Sequence, residues 1–93
     1  MSETEVLRVS SSTNVQNLAG AIAKVVSKGS QAEISAIGAG AVSQAVKGMA
    51  IARRMVSTTG YDLMFTVGFS TVNLEDVGGK AEVTAMVFRT ILR

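Results

Sequence analysis

The chain contains no cysteine and no histidine. Without cysteine there is no disulfide framework, no thiolate nucleophile and no sulfur ligand for zinc. Without histidine the commonest general base and metal ligand is missing. These absences exclude redox and zinc chemistry and argue against an enzyme, so we expect no catalytic residue, no metal site and no cofactor.

Aromatic residues and long apolar runs are also scarce. One tyrosine, three phenylalanines and no tryptophan leave few side chains for stacking on the bases of a single-stranded nucleic acid. No apolar run is long enough to cross a bilayer, and the N-terminal residues 1–5 are polar and acidic. The sequence predicts a cytoplasmic protein without a membrane partner, and its 93 residues predict one domain, residues 1–93.

Acidic residues are absent between Glu33 and Asp62, although the net charge of the whole chain is only +2. Lys47, Arg53 and Arg54 all lie in that interval. This distribution predicts one basic element. It is either a contact surface for an anionic partner or an ordinary solvated helix face, and composition alone does not separate the two.

The periodicity of apolar residues predicts six elements in the order βαβαββ. Alternating runs predict strands over residues 5–10, 31–37, 61–74 and 81–92, the last two joined as a hairpin by a turn over residues 75–80. Helical spacing predicts a first helix after an N-cap at Thr13 or Asn14, ended by Gly29, and a second helix over residues 39–57. Gly68, inside the third strand, marks either a bulge or a close neighbour.

This order predicts an α/β two-layer sandwich, in which a mixed four-stranded sheet carries both helices on one face. The other face of the sheet is left for solvent or for a partner. The predicted core consists of apolar residues from every element: Leu7, Val9, Leu18, Ile22, Val25, Ile34, Val42, Val46, Met49, Val67 and Val87.

Two glycines, Gly38 and Gly40, stand between the second strand and the second helix. The first turn of a helix has free backbone N–H groups and the positive end of the helix dipole, so a strand, a glycine turn and a polar helix face favour an anion such as phosphate. The spacing fits neither the Walker loop nor the dinucleotide fingerprint. The alternative is a turn whose glycines only let the helix and the strand pack closely.

The segments Leu7–Ser10, Leu18–Ala23, Ala36–Lys47 and Ala50–Arg53 resemble the signature of the stage V sporulation protein S family, which has an Alba-like fold. The resemblance covers nearly the whole chain. It implies the strand order 1-2-4-3, a homodimer or homotetramer, and a regulatory role in sporulation or development through binding of DNA or RNA.

The candidate contacts to nucleic acid are the polar loop after the first strand, the glycine turn and the basic positions: Ser11, Ser12, Asn14, Gly38, Gly40, Ser43, Gln44, Lys47, Arg53, Arg54 and Lys80. Of these, we expect Ser43, Gln44, Lys47 and Arg54 to lie beside the first turn of the second helix. A second hypothesis is an oligomeric interaction protein that binds no nucleic acid. Its candidate contacts are apolar residues expected outside the core: Ile51, Met55, Met86 and Phe88. A third, an enzyme that uses the Ser43 and Lys47 pair, lacks any further group to complete a catalytic site.

Overall fold

The computed structural model describes residues 3–73 and 82–93. Their elements follow the predicted order: β1 (Thr4–Val9), α1 (Val15–Ser27), β2 (Gln31–Ala36), α2 (Ala39–Ser57), β3 (Leu63–Asn73) and β4 (Glu82–Leu92). Asn14 is the N-cap of α1, and the positive φ of Gly29 turns the chain away after that helix. The predicted hairpin turn over residues 75–80, with Lys80, lies outside the described residues.

The four strands form one mixed sheet in the order β1-β2-β4-β3, as the family resemblance implied. β1 runs parallel to β2, and their last residues, Val9 and Ala36, are paired. β4 runs antiparallel to both β2 and β3. Because β1 and β2 are parallel and end together, the segments that follow them leave the sheet at the same edge, which we call the loop edge.

The core lies between the sheet and the two helices. Ile22 from α1, Ile34 from β2 and Leu63 from β3 are its largest fully buried side chains. The helices approach closely at Gly48, where an added Cβ would lie 2.6 Å from Cδ2 of Leu18. Burial of the predicted core residues is confirmed at Val9, Leu18, Ile22, Val25, Ile34, Met49 and Val87, while Leu7 and Val42 are partly buried against the core.

Two predicted core residues are exposed instead: Val46 at 47% and Val67 at 66%. α2 packs through its small residues Ala41, Ala45, Gly48 and Ala52, so its buried face is rotated away from Val46. Val67 shares its face with the buried Phe88, its partner on β4, yet neither helix covers this part of the edge strand β3.

The burial of Met86 and Phe88 on β4 differs from the prediction. Phe88 was predicted to lie outside the core, but it is 4% exposed and belongs to the core cluster, and Met86 packs against that cluster. Val87 is buried outside the cluster, since alternation along β4 places it on the opposite face. Gly68 pairs with Val87 in an unbroken register, so the strand has no bulge there.

Candidate nucleic-acid interface

The loop after β1 is a tight turn held by its own hydroxyl groups. The N–H of Thr13 donates to the carbonyl of Ser10 at 3.2 Å, and the N–H of Ser10 donates to the Thr13 hydroxyl at 2.8 Å. The hydroxyls of Ser10 and Ser12 are 3.1 Å apart. Hydroxyl side chains favour such local turns because they bond to neighbouring backbone groups.

The first turn of α2 lies directly against this loop. Gly38 is the N-cap with φ 91°, a conformation that favours glycine, and no side chain caps the helix. A Cβ added to Gly40 would lie 2.9 Å from the Cβ of Ser11, so glycine is required for this approach. The free N–H groups of the first turn therefore lie beside the hydroxyl-bearing loop.

Gln44 ties the helix to the loop. Its side-chain N–H donates to the carbonyl of Thr13 at 2.8 Å, and its Oε1 accepts from Nζ of Lys47 at 3.4 Å. Gln44 is half-buried, whereas Ser43 and Lys47 are exposed. The Thr13 contact was missed from sequence, although the Ser-Thr pattern of residues 10–13 is the signal for an ordered turn.

Several predicted site residues thus meet at the loop edge: Ser11, Ser12, Gly38, Gly40, Ser43, Gln44 and Lys47. Asn14 follows in the chain, but its side chain accepts from the N–H of Asn17 at 2.9 Å and so caps α1. Our expectation that Arg54 lies beside the first turn of α2 is wrong, because Arg54 is in the last turn. With a rise of about 1.5 Å per residue, it lies about 21 Å from Gly40 along the helix axis.

Arg53 is also at the far end of α2, where its guanidinium lies 3.4 Å from the carboxylate of Asp62. Lys47 and Arg54 are seven residues apart, nearly two full turns, so both project from one exposed face of α2 together with Ser43. We call these three residues the α2 stripe. The described residues form ion pairs between Lys28 and Glu5, Arg53 and Asp62, and Arg89 and Glu33. None of these three carboxylates lies beside the Lys47 end of the α2 stripe.

The family model for stage V sporulation protein S matches residues 5–93. The chain belongs to the stage V sporulation protein S family. It is therefore a sporulation-related protein, and the resemblance found in its sequence is confirmed. Among the described residues, no helix is both long and apolar enough to cross a membrane.

A solved structure, Alba from Thermoplasma volcanium, is similar in fold. The two superpose with a TM-score of 0.69 at 18% sequence identity, over 92% of this chain and 98% of the Alba chain. At that identity the likeness establishes the fold. The chain of the stage V sporulation protein S family thus has an Alba-like βαβαββ architecture, as predicted.

Proposed function

We propose that this member of the stage V sporulation protein S family is a small cytoplasmic regulatory protein that binds nucleic acid in sporulation or developmental control, and that it acts as a homo-oligomer. One observation carries the binding part of the proposal. The uncapped first turn of α2 and the hydroxyl loop of residues 10–13 meet at the loop edge, with Lys47 beside them.

The groups at the loop edge suit phosphate oxygens. Backbone N–H groups, hydroxyls and lysine ammonium groups all donate to phosphate, and such contacts carry no base sequence information. The α2 stripe extends these donors along the helix from Ser43 to Arg54. We therefore expect sequence-tolerant binding to the backbone of a duplex, with few contacts per chain.

The proposal assigns no catalysis to this surface. Among the described residues, Nζ of Lys47 donates to Gln44 rather than to the hydroxyl of Ser43, so the one Ser/Lys pair considered is not arranged as a nucleophile and its base.

The decisive experiment measures duplex binding of the parent and of the Lys47→Ala/Arg54→Ala double variant at several salt concentrations. Each lost phosphate contact removes roughly one counterion from the salt dependence, so we expect the slope of log K against log salt to fall by about two. Affinity should fall similarly for unrelated duplex sequences.

The Lys28→Ala/Lys24→Ala variant is the matched control, because it removes the same charge from α1 and from the residue after it. Lys28 is paired with Glu5 at 2.9 Å, away from the loop edge. We expect this control to bind as the parent does. Equal losses of affinity in both variants would mean that net charge alone causes the effect. Salt-independent binding by the parent would refute the proposal.

A second candidate function is an oligomeric interaction module without nucleic-acid binding. It is favoured by apolar surface that the chain leaves uncovered: Val67 at 66%, Phe69 at 77% and Met55 at 44% exposure. Met55 borders a groove of about 670 Å³ at the C-terminal ends of the helices, which is lined mainly by Ala23, Val26, Val56, Tyr61 and Leu92. A parent that oligomerises but binds no duplex at low salt would support this function.

A further inference from the structure

β3 is an edge strand without the usual protection against pairing. It is 11 residues long, lies at the end of the sheet order and contains no charged residue and no proline. The opposite edge strand, β1, has 6 residues and carries Glu5 and Arg8. Proteins protect exposed edges with charges, proline, bulges or short strands, because an open edge offers unpaired N–H and C=O groups to another strand.

The same strand also exposes its largest side chains. Phe69 is 77% exposed and Val67 is 66% exposed, and both lie on the helix-bearing face of the sheet, opposite Met86 and Phe88 of β4. Phe69 alone leaves on the order of 150 Å² of apolar surface in water. An edge strand with two adjacent exposed apolar side chains on one face is suited to a partner that extends the sheet.

Gly68 lies between these two residues, and no contact or backbone feature among the described residues requires a glycine at this position. Its φ is not positive, it forms no bulge, and a Cβ added to it would meet no atom within 4 Å. A glycine inside a strand weakens it and often marks a site where another backbone or a ligand approaches closely. Such a neighbour of Gly68 is not among the described residues.

We propose that β3 pairs antiparallel with β3 of a second copy of this chain, with the two Gly68 residues opposite each other on the two-fold axis. This register sets Val67 opposite Phe69 of the second copy and Thr66 opposite Ser70, in both directions. Aromatic with β-branched pairs and Thr with Ser pairs are favourable cross-strand neighbours. The strand thus complements itself about Gly68, and this selects a second copy over an unrelated strand.

The pairing joins the two sheets into one continuous sheet with all helices on one side. The two loop edges then lie at opposite ends of the dimer. It rests on the homo-oligomer of the proposed function and not on nucleic-acid binding. The interface places Phe69 and Val67 of each copy in the space between the two helix layers, which removes the exposed apolar surface from water.

The first test compares the Phe69→Lys and Val6→Lys variants by light scattering over a concentration series. Both replace an exposed apolar residue on an edge strand, but Val6 lies on β1. We expect a dimeric parent, a dimeric V6K variant and an F69K variant whose dissociation constant is raised roughly 100-fold, since each dimer loses two aromatic contacts. Circular dichroism should show the parent fold in both variants.

The second test fixes the register by oxidative cross-linking, since the chain has no cysteine of its own. Gly68 itself is left unchanged, and the two positions that the register sets opposite each other are used instead. T66C and S70C should cross-link when mixed and remain unlinked when each is oxidised alone, because only unlike positions are opposite.

A monomeric parent would overturn both the homo-oligomer and this interface. A dimer that survives Phe69→Lys, or that gives no cross-link between T66C and S70C, would overturn the β3 interface and leave the homo-oligomer standing. Cross-linking of S70C with itself would show that β3 pairs in a different register.

Discussion

Gly48 and Gly20 are both helical glycines, but only one of them is needed for packing. A Cβ at Gly48 would lie 2.6 Å from Cδ2 and 2.9 Å from Cγ of the buried Leu18, whereas a Cβ at Gly20 would meet nothing within 4 Å. Helix propensity favours alanine at both positions. The close approach of α1 and α2 therefore depends on the absence of a side chain at Gly48.

We expect Gly48→Ala to lower the free energy of unfolding by about 1–3 kcal/mol, because the new methyl group forces Leu18 out of its position in a packed core. Gly20→Ala should raise it by about 0.5–1 kcal/mol through the reduced entropy of the unfolded chain. Urea unfolding followed by circular dichroism measures both. A stabilising Gly48→Ala would mean that the interhelical contact yields at little cost.

Asn14, at the start of α1, is a predicted site residue that also has a structural role. Asn14 was predicted as a contact to nucleic acid, and its side chain is the N-cap of α1, accepting from the N–H of Asn17 at 2.9 Å. A side-chain oxygen at this position satisfies a helix N–H that otherwise has no partner. Capping accounts for the asparagine whether or not nucleic acid binds nearby.

Two substitutions of Asn14 separate capping from binding. Asn14→Ala should cost about 1 kcal/mol of stability, because the cap is lost. Asn14→Asp keeps a capping oxygen and should leave stability nearly unchanged, but its negative charge beside the proposed phosphate contacts should weaken duplex binding. Thermal melts and a binding titration at low salt give the two readouts. Unchanged binding by N14D would place the nucleic acid away from this loop.

At the scale of the whole molecule, the two proposals involve different surfaces. The proposed phosphate contacts lie at the loop edge and along the α2 stripe, while the proposed dimer contact lies on the outer edge of β3, the last strand of the sheet. The net charge of one chain is only +2. A dimer therefore doubles a small set of phosphate contacts on one particle and gains avidity where both loop edges reach the same duplex.

The F69K variant tests this combination. As a monomer it should bind duplex more weakly than the parent, and the slope of log K against log salt should be about half that of the dimer, because half as many counterions are released. Fluorescence anisotropy at several salt concentrations measures both quantities. The added lysine can raise the slope by about one at most. An F69K variant that keeps the full parental slope after this allowance would indicate that each chain binds independently.

Local sequence patterns were enough to predict the elements and their order. The spacing of apolar residues gave α2 the bounds Ala39–Ser57 that the structure has, and the polar run at residues 10–14 predicted the cap of α1. These features depend on neighbours within a few residues, so they can be derived from local patterns. The family resemblance added the strand order, which connects residues far apart in the chain.

Which faces of the helices and strands are covered depends on how these elements pack against each other. Periodicity places Val46 on the apolar side of α2 and Val67 on the apolar side of β3, but burial also requires another element opposite each, and the structure leaves both exposed. It placed Phe88 in the core and joined Gln44 to Thr13 across 31 positions of sequence. Such long-range contacts follow from how elements pack, and no local pattern encodes the packing.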